Sequence, residues 1–537
     1  MLLFIVLSST AWLLWRVIRA TRRRSPLDKV PGPPPASFFT GNLSQIMDRR
    51  GWNFHTEIAE KYGPVIKLHW LFGTPWLYVF DPLALQHILK DTATYDELPW
   101  YVQSNRMMLG PSVLSVTGET HRKQRRMLTP VFSPRHLRDL VPVFYRVTHK
   151  LVDAISSRVQ GDAQDVDVLS WMSRAALELI GQSGIGYSFD PLTEDIADAY
   201  AEAVENFVPV ATSSEMMLLR QATPLHKYLG PSWFRRWLVE KLPIPTVQKM
   251  IHISDTLHQR SLEIFQAKKA AILAGEKTES KDIITILLKA NMAASEEERL
   301  PDDQLLGQMS SIIFAAMDTT SSAMSRTLNL LAEHPDVQDK LRREIVEAKR
   351  DSEGELSYDQ LHALPYLEAV CRETLRLYAP APQTFRGTMK DAVLPLSEPI
   401  HATDGTILRE LVIPRGTNIF VGMMASNRNK ALWGEDAYEW KPERWLKPLP
   451  EALEKASVPG VYSHMMTFLG GIRSCIGFRF SQLEMKVVLA ELLTNFAFEL
   501  SDKPIIWNLS GIAYPSAGEE STKPELWLKV RKLCTEE

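Results

Sequence analysis

Phe468-Leu469-Gly470-Gly471-Ile472-Arg473-Ser474-Cys475-Ile476-Gly477 is followed, from Phe478, by an amphipathic helical pattern. A cysteine just ahead of a helix N-terminus meets unpaired backbone N–H groups and the positive end of the helix dipole, which stabilise a thiolate and lower its pKa. Such a sulfur is a competent iron ligand. Gly471 and Gly477 let the backbone pass close to a flat macrocycle and aim N–H groups at the sulfur. Arg473 supplies a cation for an acidic group on the rim of that macrocycle, and Phe468 shields the sulfur from water and oxidants.

Outward from this stretch, composition sets bounds. The chain has 537 residues, 45% hydrophobic and 23% charged, with a formal charge of −3, which describes a globular protein and gives no reason to expect a nucleic-acid partner. Its three cysteines, Cys371, Cys475 and Cys534, lie too far apart for CxxC zinc or redox spacing, and their odd number argues against a secreted disulfide scaffold. Cys371 and Cys534 read as small hydrophobes. A single-cysteine metal site remains, and a haem needs just one thiolate.

Leu2 to Trp15 carry no charge, and Arg16, Arg19, Arg22, Arg23 and Arg24 follow. The run is slightly shorter than the roughly 20 residues that span a bilayer, but Arg16 can snorkel to extend it. A cleaved signal peptide is the competing reading. The lack of a positive n-region and the basic cluster behind the run favour an anchor, with everything from about Arg19 in the cytosol. Pro31-Gly32-Pro33-Pro34-Pro35 then reads as a stiff, extended spacer. Residues 1–24 are thus expected to be an anchor with its stop-transfer cluster, 25–49 a proline-rich hinge and 50–537 one catalytic domain.

Helical periodicity appears over 134–158, 193–218, 252–274, 302–333, 336–350 and 477–494, and strands over Val65–Trp70 and Trp76–Phe80. The fold class is therefore mainly α with a small β region, preceded by a single N-terminal transmembrane helix. Around 205–245, Phe207, Met216, Met217, Leu218, Leu219, Trp233, Phe234 and Trp237 mix with Arg235 and Arg236; membrane contact and ordinary amphipathic packing are both open readings.

Three further patterns carry chemistry. Glu373 and Arg376 stand three apart on one helical face, a spacing that most often makes a solvated surface pair. Asp318 and Thr319 lie midway along the apolar 302–333 segment, where an acid is expensive and a threonine ordinarily bonds back to the carbonyl four residues earlier. His121 and Arg125 sit one helical turn apart in a basic stretch, Gly118 to Arg126, whose Arg122, Lys123 and Arg126 suit either an acidic electron donor or plain solvation.

Taken together, these residues resemble the cytochrome P450 family. FxxGxRxCxG at 468–477 is similar to its haem-binding signature at every defined position. Glu373-Thr374-Leu375-Arg376 and Pro442-Glu443-Arg444-Trp445 resemble its ExxR and PERF-type motifs, which implies a structural triad of Glu373, Arg376 and Arg444. Ala315-Ala316-Met317-Asp318-Thr319-Thr320 is similar to its oxygen-activation motif AGxDTT, with Ala316 where glycine is usual. The resemblance makes Thr319 and Asp318 catalytic, Asp318 relaying protons. The 118–126 stretch is similar to the family's WxxxR helix with His121 replacing tryptophan, so Arg125, His121, Arg473 and Arg386 would bind haem propionates, and Cys475 would be the axial iron ligand.

What the resemblance implies is a fungal-type microsomal haem-thiolate monooxygenase with the P450 fold. Its cofactor is haem b, iron protoporphyrin IX; NADPH and flavins act only through a separate NADPH-cytochrome P450 reductase, with cytochrome b5 as a further donor. One atom of O2 enters the substrate and the other leaves as water. The chain would sit in the endoplasmic reticulum membrane, single-pass, with its catalytic domain cytosolic. The expected substrate is a lipophilic small molecule, a terpenoid or other secondary metabolite, with a fatty acid, sterol or xenobiotic as the alternative. Its pocket would draw on 98–117, the middle of 302–333, Ala381 to Phe385 and Gly511 to Tyr514, apolar as most pockets are. Two rivals stand beside this reading, a thiolate enzyme that rearranges peroxides and a non-catalytic membrane haem sensor or carrier; the acid-threonine pair argues against both.

Overall fold

The computed structural model describes residues 25–190, 192, 199–275, 281–352 and 354–533. The expected anchor over 1–24 and Cys534 lie outside the described residues; among those described, no helix is long and apolar enough to cross a membrane. The chain forms two compact units, each assembled from separated stretches: one from the residues up to Leu98, Gln383–Ala437 and Pro450–Ser474, the other from Pro99–Pro382, Tyr438–Leu449 and the residues from Cys475 onward.

The first unit is built on a five-stranded sheet of β1 (Val65–His69), β2 (Pro75–Val79), β3 (Tyr95–Asp96), β4 (Thr384–Thr388) and β5 (Asn418–Val421), in the order β1-β2-β5-β4-β3. β2 and β5 are parallel, Trp76 opposite Asn418, and the other pairs antiparallel. Aromatic and β-branched residues favour strands because they cover a pleated surface well. Trp76 does so here, stacked on Trp70 at 4.1 Å between ring centroids and tilted against Phe420 at 5.0 Å. The proline-rich run is held to this sheet: the Lys67 N–H donates to the Pro31 carbonyl at 2.8 Å, and the Asn42 side-chain amide to the Pro34 carbonyl at 2.8 Å. Gly32 passes so close that an added Cβ would stand 1.9 Å from the Lys67 oxygen.

The second unit is helical. Six of its helices matter for the site: α1 (Gly118–Leu128), α2 (Pro134–Arg158), α3 (Val168–Ile180), α4 (Asp302–Glu333), α5 (Pro365–Leu377) and α6 (Phe478–Asn495). The periodic segments at 134–158 and 302–333 are helices with the expected ends. α2 starts at Pro134 behind the cap Ser133, and Pro301 precedes α4 with Asp302 and Asp303 in its first turn, where acids suit the helix dipole. The helix expected over 252–274 begins earlier, at Pro245, whose fixed φ presets a first turn. The one expected over 193–218 is divided: a helix spans Ala199–Ala211 and another Ser214–Gln221, because Ser213 leaves the helical region and caps the second by accepting from the Met216 N–H at 3.3 Å. A three-stranded sheet of Phe496–Leu500, Trp527–Lys532 and Gln164–Asp167, and a hairpin of Ile505–Asn508 with Tyr514–Ala517, complete the unit.

The core around α6 is apolar. On α6, Leu483, Val487, Val488 and Leu489 are fully buried, and Phe480 lies edge-on to Phe144 of α2 with centroids 5.1 Å apart. Removing a fully buried phenylalanine ring forfeits its transfer energy and leaves a cavity, a loss of about 3–5 kcal/mol. Phe144→Ala is therefore expected to lower the denaturant midpoint by that amount with an unchanged slope; an unaffected midpoint would show that α2 and α6 do not depend on this contact.

Candidate active site

Cys475 lies two residues before Gly477, the N-cap of α6, as the sequence pattern predicts. Its side chain is exposed, yet enough protein surrounds the sulfur for burial to dominate its acidity. This corrects one expectation. The thiol pKa is raised, because desolvation outweighs the Gly477 N–H and the Arg125 guanidinium, both of which act to lower it. The same two groups stabilise the sulfur once it is charged. Cys371, by contrast, is a small buried hydrophobe as expected, with burial pushing its thiol to about 12.

The glycines of the loop divide by cause. Gly471 has φ +68, and a Cβ there would fall 2.3 Å from the Leu89 carbonyl oxygen, so its glycine is required by the first unit's own backbone. Gly470, which the sequence did not single out, would place a Cβ 2.0 Å from the Pro459 oxygen. At Gly477 nothing in the chain forbids a side chain, the nearest atom being a Phe132 ring carbon at 3.9 Å. Phe468 is half-buried, edge-on to Tyr462 at 5.7 Å.

Arg473 and Arg386 both belong to the first unit and lie near enough to repel each other. Arg473 is paired with Asp96 at 3.7 Å, and Arg386, almost fully buried, with Glu97 at 3.0 Å. Neither acid was foreseen, because Glu97 meets Arg386 only through a pairing of residues nearly 300 positions apart, Tyr95 opposite Thr388, and Asp96 meets an arginine still further along the chain. In the second unit, His121 is buried on α1 and Arg125 follows one turn later on the same face, partly buried. The adjacent Gln124 bonds the Gln304 side chain at 2.9 Å, fixing α1 beside the start of α4.

The triad is a buried cluster, not the surface pair that an isolated ExxR usually is. Arg376 grips Glu373 through two parallel bonds, Nε to Oε2 at 2.8 Å and Nη2 to Oε1 at 2.7 Å, with both side chains inaccessible to solvent. Arg444 Nε donates to Glu373 Oε1 at 3.3 Å, the Lys441 backbone N–H to the same oxygen at 3.1 Å, and Trp445 Nε1 to Oε2 at 3.0 Å. The last two donors were not legible in the sequence. They satisfy the lone pairs that two arginines leave over, the condition under which a buried ion pair offsets its desolvation.

α4 runs unbroken through Ala315–Thr320, and Thr319 Oγ1 donates to the Ala315 carbonyl at 2.7 Å. Asp318 beside it is largely enclosed; burial first, and Glu205 on the Ala199–Ala211 helix second, push its carboxyl up to about 8. Glu205 is another residue the sequence reading missed, as is Glu484 on α6, whose carboxyl burial raises well above the usual range, with the Thr320 hydroxyl acting the other way. α4 is also laced to the segments expected to contact substrate. Gln308 accepts from the Val113 N–H at 3.1 Å, Ser311 donates to Ser112 at 2.5 Å and Ser322 to the Ala513 carbonyl at 2.6 Å, while the Ala513 N–H donates to Pro380.

The comparisons with known proteins agree with this geometry. A cytochrome P450 family model matches residues 31–518. The chain is 52% identical to cytochrome P450 monooxygenase 91 of Postia placenta, over 99% of its own length and 98% of the relative's. It is 49% identical to the ganoderic acid synthetase CYP5150L8 of Ganoderma lucidum, over 99% of each chain. Fold and relatives together define a haem-dependent monooxygenase. The chain belongs to the cytochrome P450 family.

The residues present suit that cofactor. Arg386 Nη2 is buried and has no hydrogen-bond partner, a donor matched to a carboxylate such as a haem propionate. Cys475 offers a solvent-accessible side chain able to meet a ligand. Removing Glu373 would leave Arg376 and Arg444 buried without their acceptor, at a cost of about 3–5 kcal/mol. Glu373→Ala is expected to yield little soluble, haem-loaded protein; a haem content equal to that of the unmodified chain would contradict a structural role for the triad.

Proposed function

We propose that this monooxygenase hydroxylates a lipophilic, terpenoid-like small molecule, drawing electrons from a separate NADPH-dependent reductase, and that it is anchored by residues 1–24 in the endoplasmic reticulum membrane with its catalytic body, 50–537, in the cytosol. The observation that carries the catalytic part is Asp318-Thr319 on α4, a protonatable carboxyl pushed to about 8 and a hydroxyl beside it, on a helix tied to the 112–113 and 513 backbone. Haem, when bound, would supply the oxygen-activating chemistry. Cys475 would hold the iron, Arg473, Arg386, Arg125 and His121 would hold the propionates, and Phe468 would screen the sulfur. Thr319 orients a proton donor and Asp318 delivers the proton.

The substrate class rests on apolar pocket segments and on the 49% identical relative named ganoderic acid synthetase, ganoderic acid being a terpenoid. A fatty acid, a sterol or a xenobiotic is the second choice. Membrane association is supported by the uncharged run Leu2 to Trp15 and its arginine cluster, and by Tyr228, Trp233 and Trp237, which stand 74%, 70% and 50% exposed beside Lys227, Arg235 and Arg236. Aromatic and basic residues in such a mixture suit a lipid headgroup interface.

The test is turnover under 18O2 with reductase, NADPH and a panel of terpenoid scaffolds. Label is expected in one product hydroxyl, with Thr319→Ala lowering labelled product about 10- to 100-fold while NADPH consumption continues. No NADPH-dependent labelled product from any lipophilic scaffold would favour the haem carrier.

A further inference from the structure

Thr319, Ser322, Arg326, Asn329 and Glu333 stand alternately three and four residues apart and so lie along one face of α4. The hairpin of Ile505–Asn508 and Tyr514–Ala517 is laid on that face. The Ser322 hydroxyl donates to the Ala513 carbonyl at 2.6 Å, which places the 509–513 turn beside the residue one helical turn after Thr319. Trp507, on the strand that enters the turn, donates from Nε1 to the Asn329 side chain at 2.7 Å, and the Asn329 amide donates in turn to Glu333 at 2.9 Å, which fixes its oxygen toward the indole. Arg326 lies between these two contacts. Its guanidinium carbon stands 4.3 Å from the Trp507 ring centre and 3.6 Å from that of Tyr378, the C-cap of α5. Arg326 Nε is buried and makes no hydrogen bond among the described residues, which leaves the ring contacts to orient the group. The turn is held at its other corners as well. The Ala513 N–H donates to the Pro380 carbonyl at 2.8 Å, Ser510 shares a hydrogen bond with Thr212 at 2.8 Å, and a Cβ on Gly511 would fall 2.5 Å from the Thr212 methyl.

We propose that Arg326 is a positioning residue: by holding Trp507 against Tyr378 it fixes how far the 509–513 turn stands from Thr319, and so which carbon of a lipophilic substrate is presented for hydroxylation. A planar guanidinium meets an aromatic face in few orientations, so two such faces define where the indole sits, whereas an aliphatic side chain of the same length would fill the space and let it slide. One of the two rings is tied to the scaffold, since the Tyr378 N–H donates to the Thr374 carbonyl of α5 at 2.8 Å. The other belongs to the hairpin, and the strand pairing of Asn508 with Tyr514 carries its position directly into the turn. A hydroxyl enters at the C–H bond held at the reacting centre, and a misplacement of about 1 Å is enough to change a rate about 100-fold. The position of this turn therefore selects among neighbouring carbons. The inference rests on the reading that Thr319 acts where the substrate is oxidised.

The test compares the binding of imidazole and of 1-phenylimidazole to the full, haem-loaded chain, read from the Soret shift, in the unmodified protein, Arg326→Met, Arg326→Lys and Trp507→Phe. Imidazole reports the iron alone, while the added phenyl ring also reports the wall around it. Arg326→Met, which still packs between two rings, is expected to change the ratio of the two affinities about 5-fold or more with imidazole binding unaltered. Arg326→Lys, which keeps the cation but not the plane, is expected to lie between it and the unmodified chain. Trp507→Phe keeps a ring for the guanidinium and loses the bond to Asn329, so it is the milder variant and is expected to move the ratio in the same direction. The ratio of hydroxylated isomers formed from the terpenoid panel is expected to shift in the same order. An unchanged affinity ratio and isomer ratio in Arg326→Met and Trp507→Phe would overturn the proposal, as would an equal loss of both imidazoles, the mark of a purely structural role. Full hydroxylation by Thr319→Ala would instead overturn the reading on which the inference stands.

Discussion

A thiolate is a charge, and a protein can hold one in a desolvated place only by surrounding it with donors and cations that offset the loss of water. Cys475 depends on that balance. Burial acts against the charged sulfur, while the Gly477 N–H at the cap of α6 and the Arg125 guanidinium act for it. A coordinated iron would complete what those two groups begin, since a metal bound to sulfur favours the thiolate and the proton is released to water. The loop must therefore keep its path. Its backbone runs so near Pro459 and Leu89 that Gly470 and Gly471 can be no other residue without displacing a carbonyl oxygen.

The second demand is on buried charge elsewhere. Glu373 is satisfied by two arginines, an indole and a backbone N–H, so that the 439–445 segment is tied to α5 by several polar bonds. Arg386 is paired with Glu97 and Arg473 with Asp96, with a donor left on Arg386. On α4 the balance differs: among the described residues no cation pairs with Asp318, and burial pushes its carboxyl up to about 8, which favours the neutral acid near neutral pH. A neutral acid beside a hydroxyl can give a proton, which a paired carboxylate cannot.

Local pattern made the long helices legible, because apolar spacing, Pro134, Pro301 and the first-turn acids of α4 all act within a few residues. It also gave Cys475, Glu373 with Arg376, and His121 with Arg125, each a short-range motif. What it could not give depends on chain segments far apart in sequence. Glu97 finds Arg386 only once β3 pairs with β4, Asp96 finds Arg473 from the far end of the same unit, and Trp445 and Lys441 reach Glu373 only after 438–449 folds back on α5. Glu205 was hidden in a short helix of small apolar residues, where its one signal was an acid among them. The expectation for the thiol failed for a related reason, since helix position is local whereas burial belongs to the whole fold. The break at Ser213 was readable in principle, as a capping serine inside an apolar run.

The central claim is that Cys475 is the haem ligand, and the most direct measurement is the Soret spectrum of the reduced protein under carbon monoxide, recorded for the unmodified chain and for Cys475→Ala. The expected result is a strongly red-shifted band in the unmodified chain that the variant lacks. A histidine-type spectrum in the unmodified chain, or a band that survives the loss of Cys475, would contradict it.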